Sequence, residues 1–243
     1  MASIKTKARF AGLLYLALGF IAPVGLVYVP GKLIVLGDPT ETGRRILASE
    51  WLFRLGIASE LISPIVCLFV VMALHDLLKD VDERRARLMV ILGALLPIPI
   101  SLINVLNSIA ALSLFKGTGH LSAFDRTQLD SLGMTFIGLR SCGISIASIF
   151  WGLWLFPFGI LVVRSRFIPR ILGYLLFAAG LGYLASAFAS LVLPTANVFG
   201  GVATAMEMGE LPIILYLVTF GARPWPDAAP DAAAARGRAA ADH

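Results

Sequence analysis

Four ionisable side chains interrupt the long apolar stretches of this chain: Glu60, Arg140, Glu207 and Glu210. An apolar stretch of about 20 residues is long enough to cross the hydrocarbon core of a membrane. A charged side chain at the centre of such a helix costs about 2.5–3.5 kcal/mol, so it must be paired, hydrated or neutral. These residue types therefore indicate either a buried ion-pair network or a polar binding site.

The spacing of these residues predicts a shared site near one face of the membrane. Arg140 keeps its proton at any accessible pH and needs a carboxylate partner. Glu207 and Glu210 lie on one helix face, so both can face Arg140. At a rise of 1.5 Å per residue, all of them are expected about 7–15 Å below the outer edge, together with two asparagines. The predicted ligand-binding or ion-pair cluster consists of Glu60, Asn104, Asn107, Arg140, Glu207 and Glu210.

The composition indicates a membrane protein. Apolar residues form 58% of the chain and charged residues 14%, whereas soluble domains have about 45–50% and about 25%. The net charge of +5 does not indicate nucleic-acid binding, because the basic residues lie in short loops and form no basic face. Cys67 and Cys142 both lie in apolar stretches and have no metal-site or disulfide spacing.

Six membrane spans are predicted, and the distribution of basic residues orients them. The first span is too long for a signal peptide and is expected to be retained. Thirteen Lys and Arg residues lie on the side of both termini and five on the opposite side. The positive-inside rule therefore places both termini in the cytoplasm. The predicted spans are 10–29, 53–74, 88–112, 135–163, 171–193 and 200–220.

The segments around the spans also carry signals. Asp38 followed by Pro39 and Glu41 is typical of a helix start, which predicts a short outer surface helix before the second span. Residues 223–243 are rich in Ala, Asp, Arg and Pro and are expected to be a disordered cytoplasmic tail. The chain is thus an all-α protein with one six-helix transmembrane domain, residues 1–222, and a tail, residues 223–243.

Small residues recur every three or four positions in two of the spans. This small-xxx-small pattern lets membrane helices approach closely, so it predicts two packing faces. One face contains Ser141, Ser145, Ser148 and Gly152, and the other contains Ala178, Gly182, Ser186 and Ser190.

Several strings, taken in order, resemble the bacterial domain-of-unknown-function family numbered 4386. They are Tyr28-Val-Pro30, Leu47-Ala-Ser-Glu50-Trp-Leu-Phe-Arg54-Leu-Gly-Ile57, Ile149-Phe-Trp151-Gly-Leu-Trp154, Phe167-Ile-Pro169-Arg-Ile-Leu-Gly173 and Gly209-Glu210-Leu-Pro212. The resemblance covers nearly everything from the first span to about residue 222. It implies a multi-pass bacterial membrane protein and supplies no catalytic residues.

Three functional hypotheses remain open from the sequence. The first is a protein that binds or transports a small molecule through the predicted cluster. The second is a structural or regulatory membrane subunit in which the cluster is a packing network. An intramembrane hydrolase is the third, although neither a Gly-x-Ser-x-Gly nor a His-Glu-x-x-His motif occurs. No cofactor or metal is expected; the expected partners are the lipid bilayer, a small-molecule or lipid ligand, and another membrane protein.

Overall fold

The computed structural model describes residues 3–117, 121, 123–193 and 205–222, and the regular elements within them are all helical. In a bilayer the backbone must satisfy its own hydrogen bonds, which is why long apolar runs become helices. In chain order the helices are α1 (Ile4–Leu33), α2 (Pro39–Ala48), α3 (Glu50–Leu78), α4 (Glu83–Lys116), α5 (Arg126–Ser165), α6 (Arg170–Val192) and α7 (Leu211–Thr219).

Five of these helices, α1, α3, α4, α5 and α6, are long and apolar enough to cross a membrane. The first four predicted spans each lie within one of them, and the fifth, 171–193, ends one residue beyond α6. The sixth predicted span, 200–220, lies partly outside the described residues. Its described part has helical residues 205–207, a 3-10 turn, Met208–Glu210, and the nine-residue α7. The predicted tail, residues 223–243, lies outside the described residues altogether.

The surface helix predicted before the second span is present as α2. Asp38 accepts a hydrogen bond from the backbone N–H of Glu41 at 2.9 Å, and Pro39 is the first helical residue. Hydrogen bonds from Arg44 and then Arg45 lower the pKa of the Glu41 carboxyl to about 2. The chain leaves helical geometry at Ser49 before α3 begins, so α2 is a separate element and not an extension of that span.

Two of the spanning helices contain a π-helical turn, and a third is interrupted. In α1 the turn Val24–Tyr28 follows Pro23, and in α4 the turn Ile91–Leu95 lies shortly before Pro97. In α5 the interruption lies at Trp154. Proline lacks a backbone N–H and breaks the regular hydrogen-bond ladder. Single π-turns redirect backbone groups sideways, and the turn in α1 matters for the site described below.

The two predicted packing faces meet between α5 and α6. The Ser190 hydroxyl donates a hydrogen bond to the Ser145 hydroxyl at 2.8 Å. A Cβ on Gly152 would lie 2.8 Å from the carbonyl oxygen of Gly180. Two helix turns further on, Gly159 and Gly173 approach each other in the same way, with carbonyl oxygens 2.9 and 2.7 Å from the added Cβ atoms. The backbones of α5 and α6 therefore lie in direct contact at these glycines, and this contact sets where the two helices cross.

The last helix packs along the first. A Cβ on Gly12 would lie 2.8 Å from the backbone nitrogen of Val218. The Arg9 guanidinium donates a hydrogen bond to the Thr219 carbonyl oxygen at 3.0 Å. The beginning of α1 and the end of α7 consequently lie side by side.

Candidate functional site

Arg140 of α5 forms a buried ion pair with Glu60 of α3. The Arg140 Nε donates to Glu60 Oε1 at 2.9 Å, and its Nη2 donates to the same oxygen. The two side chains are only 6% and 11% exposed. Because guanidinium remains charged, this pairing is what allows Arg140 to sit inside the bundle.

The backbone of the π-turn in α1 completes this site. Arg140 Nη2 also donates to the Gly25 carbonyl oxygen at 2.8 Å, and the Gly25 N–H donates to Ser59 Oγ at 3.1 Å. The Ser59 hydroxyl in turn donates to the Ile21 carbonyl oxygen at 2.7 Å. A Cβ on Gly25 would lie 2.8 Å from Glu60 Cγ, so glycine permits the close approach. We define Arg140, Glu60, Gly25 and Ser59 as the Arg140 cluster.

The two asparagines take different positions around this cluster. Asn104 is buried and packs against Gly143 of α5, one turn from Arg140. The Ser108 hydroxyl lies 3.4 Å from the Asn104 carbonyl oxygen and 3.5 Å from Glu60 Oε2, which connects α4 to the ion pair. Asn107 is half-buried, and within the described residues its amide makes no hydrogen bond to the cluster. Asn104 therefore lines the cluster and Asn107 does not.

The cavity beside the Arg140 cluster is very small. Glu60, Ser108 and Arg140 line it together with apolar side chains such as Phe53 and Ile137, and its volume is about 10 Å³. About 10–15 Å³ is the space that one water molecule needs, whereas small-molecule sites enclose about 300–1,000 Å³. The geometry of the Arg140 cluster thus suits helix packing and leaves no room for a ligand larger than water.

Glu207 and Glu210 lie at a second site with different partners. The Ser186 hydroxyl of α6 donates to Glu207 Oε1 at 2.7 Å, and the Tyr15 hydroxyl of α1 donates to Glu210 Oε2. A Cβ on Gly209, between them, would lie 2.6 Å from the Leu175 carbonyl oxygen, so this turn packs directly on α6. We define Tyr15, Ser186, Glu207 and Glu210 as the Glu210 cluster.

Aromatic residues lie near the hydroxyl donors of the Glu210 cluster. The Tyr15 ring lies 5.9 Å from the ring of Trp154. Tyr183 lies one turn before Ser186 on α6, and its ring meets Trp151 edge-on at 6.5 Å. Each carboxylate therefore has an aromatic side chain on the helix that supplies its hydroxyl donor.

The two clusters lie at different depths, contrary to the expectation of one shared level. Tyr15 and Gly25 are ten residues apart on α1, which is about 15 Å along a helix axis. Arg140 therefore pairs with Glu60 and does not reach Glu207 or Glu210. The prediction that these two carboxylates face Arg140 is wrong, because α7 packs along the first half of α1, whereas Glu60 of α3 lies beside the second half.

Among the described residues, no Lys, Arg or His lies within ion-pair distance of Glu207 or Glu210. The segment 194–204, which precedes them, contains no such residue in its sequence. The described residues also contain no group of three metal-ligating side chains. A carboxylate in this apolar setting is stable when a proton or a cation neutralises it, so each of the two glutamates is expected to hold a proton or to pair with a cation.

Sequence patterns alone did not identify Tyr15, Ser59 or Gly25 as site residues. Tyr15 and Gly25 lie in an apolar span like many other residues, and Pro23 before Gly25 is the signal that comes nearest. Ser186 was identified for packing and also serves as a hydrogen-bond donor. Their roles depend on which helices are neighbours.

The family model described as domain of unknown function (DUF4386) matches residues 10–221 of the chain, which confirms the resemblance found in the sequence. No curated protein and no solved structure matches the chain.

Proposed function

We propose that this chain, which belongs to the DUF4386 family, is a multi-pass membrane protein that binds a small organic cation through Glu207 and Glu210. One observation carries this proposal: two half-buried carboxylates in an apolar segment have hydroxyl donors but no cation among the described residues. Arg140, the cation that the sequence offered as their partner, donates instead to Glu60 and to the Gly25 carbonyl oxygen.

The chemistry of the Glu210 cluster favours a protonated amine, a guanidinium or a quaternary ammonium group. Carboxylate oxygens form charge-assisted hydrogen bonds with N–H donors. Aromatic rings such as those of Tyr15 and Tyr183 attract cations to their faces, and this attraction strengthens when water is excluded. The two kinds of neighbour together favour an organic cation over a neutral or anionic molecule.

The proposed setting is a bacterial inner membrane, crossed six times, with both termini in the cytoplasm. The contact between Arg9 and Thr219 supports an even number of crossings, because it joins the beginning of α1 to the end of α7. The excess of Lys and Arg on that side, thirteen against five, supports its cytoplasmic location.

A reporter that is active only in the cytoplasm tests this topology. Fused after residue 222 or inserted in the loop between α3 and α4, it is expected to be active, since both points lie on the basic side. Inserted between α1 and α2, it is expected to be silent. A well-expressed but silent fusion after residue 222 would contradict the six-span arrangement.

Cation binding is tested by the melting temperature of the purified full chain in a neutral detergent. The probes are choline, alkylammonium and guanidinium compounds, each beside an uncharged isostere. At about 100 times its Kd, a bound cation is expected to raise the melting temperature by about 5–10 °C. The isosteres are expected to give no shift, because they cannot replace the missing positive charge.

Two variants and one control connect this shift to the site. Glu210→Gln and Glu207→Gln keep the side-chain volume and remove the charge, so each is expected to abolish or strongly reduce the shift. Glu83→Gln, at an exposed pair with Arg87, is expected to leave it unchanged. The proposal fails if no probe gives a charge-dependent shift, or if the Glu207→Gln, Glu210→Gln double variant responds like the parent.

A second candidate function, a structural or regulatory membrane subunit, is supported by the Arg140 cluster. Its ion pair is satisfied on both sides and its cavity holds no more than about one water molecule. If the cation test fails, the Glu210 cluster belongs to the same kind of packing network. The hydrolase hypothesis has no supporting contact in the described part of the chain. His75 lies 3.7 Å from its sequence neighbour Asp76, and this contact involves no nucleophile.

A further inference from the structure

A groove separate from both clusters lies between the beginning of α3 and the end of α4. Its volume is about 310 Å³, which falls within the range of ligand sites. Most of its wall is aliphatic, from Ile57, Ala58, Leu61, Ile109 and Leu112. It is therefore large and apolar enough to hold part of an acyl chain.

Two cationic side chains lie at one end of this groove and donate to the same carboxylate. Arg54 Nε donates to Glu50 Oε1 at 2.8 Å, and Lys116 Nζ donates to the same oxygen at 3.0 Å. The side chains of Arg54 and Lys116 are 60% and 37% exposed. The group thus keeps one net positive charge, and its partly exposed N–H groups are accessible to a ligand.

The charged end lies at the level of lipid headgroups. Trp51, one turn before Arg54 on α3, is 70% exposed, and exposed tryptophan is typical of the membrane–water interface. Leu61 lies seven residues after Arg54 on α3, which places it about 10 Å deeper in the membrane. The groove therefore runs from the headgroup region into the hydrocarbon, in the direction that a lipid molecule takes.

We propose that this groove binds an anionic phospholipid. The phosphate accepts hydrogen bonds from Arg54 and Lys116, and one acyl chain lies along Ala58, Leu61 and Ile109. Arginine matches the geometry of phosphate oxygens, and basic pockets between membrane helices bind anionic headgroups. A zwitterionic lipid carries its own ammonium group and cannot match the net positive charge of this end equally well.

The experiment compares phosphatidylglycerol with phosphatidylcholine of the same acyl chains, added to the delipidated full chain in a neutral detergent. Binding is measured by native mass spectrometry and by the melting temperature. Phosphatidylglycerol is expected to bind about tenfold more tightly, the effect of one charge-assisted hydrogen bond. Glycerol phosphate, which has the headgroup chemistry without acyl chains, is expected to give no shift.

Two variants address the two halves of the groove independently. Arg54→Gln with Lys116→Gln removes the cations, and Ala58→Trp fills the apolar part while the charges remain. Both are expected to remove the preference for phosphatidylglycerol, whereas Arg44→Gln, at an exposed pair on α2, is expected to keep it. The proposal is overturned if the two lipids bind equally to the parent, if glycerol phosphate acts as well as the lipid, or if both groove variants retain the preference.

Discussion

Replacement of Arg140 with methionine is expected to lower the free energy of unfolding by about 3–5 kcal/mol, the usual cost of removing one member of a buried ion pair. Methionine retains most of the volume but leaves the Glu60 carboxylate without a cation and the Gly25 carbonyl without a donor. This loss is a large share of a domain's net stability of about 5–15 kcal/mol. Thermal melts of the purified protein measure it.

The double variant Arg140→Met with Glu60→Gln separates the ion pair from simple packing. It is expected to recover much of the loss, because glutamine carries no charge to be left unpaired. Simple additivity in the double variant, or a single variant that melts like the parent, would show that the pair does not support the fold.

Arg87→Met provides the matched control for this result. Arg87 pairs with Glu83 at the beginning of α4, where the two side chains are 66% and 63% exposed. Exposed ion pairs contribute only about 0–1 kcal/mol, so little change is expected. A comparable loss in both arginine variants would indicate a general effect of removing positive charge from the protein.

Gly180→Leu is expected to cost about 3 kcal/mol or more, because overpacking against a backbone leaves no side chain to move aside. A Cβ at Gly180 would lie 2.9 Å from the Gly152 carbonyl oxygen and 3.2 Å from the Phe156 ring. Relief of these close contacts requires α5 and α6 to move apart. Since α6 carries Ser186, separation is also expected to weaken the response of the Glu210 cluster to cations.

Gly138→Leu is the matched control on α5. A Cβ at Gly138 meets nothing within 4 Å, and Gly138 is exposed, so the same substitution is expected to leave the melting temperature close to that of the parent. Equal melting of the Gly138 and Gly180 variants would contradict the close backbone contact between α5 and α6.

Variants of the two clusters are expected to have opposite effects on stability and on the response to added cations. The Arg140 cluster is complete within the chain, so its variants should change stability with little effect on the cation response. The Glu210 cluster lacks a cation among the described residues. Its glutamine variants should therefore keep the fold, because they remove a charge that nothing in the described bundle balances, and should lose the response to added cations.

Sequence patterns were sufficient to predict an all-helical fold and most of its helices. Apolar runs long enough to cross a bilayer have no stable alternative to a helix, because their backbone groups must pair within the segment. The start of α2 was equally predictable, since the capping at Asp38 is local in the chain. The sequence likewise identified Arg140 as a residue that needs a carboxylate, because its charge does not depend on its surroundings.

The identity of that carboxylate depends on how the helices pack. Glu60, Glu207 and Glu210 are equivalent by residue type and similarly placed within their predicted spans, so the sequence could not choose among them. The choice depends on how far each helix is displaced along its neighbours. The contacts Tyr15–Glu210 and Gly25–Arg140 separate the two clusters by about 15 Å along α1. That displacement arises from glycine contacts and the π-turn after Pro23, which are properties of packed helices and not of any single segment.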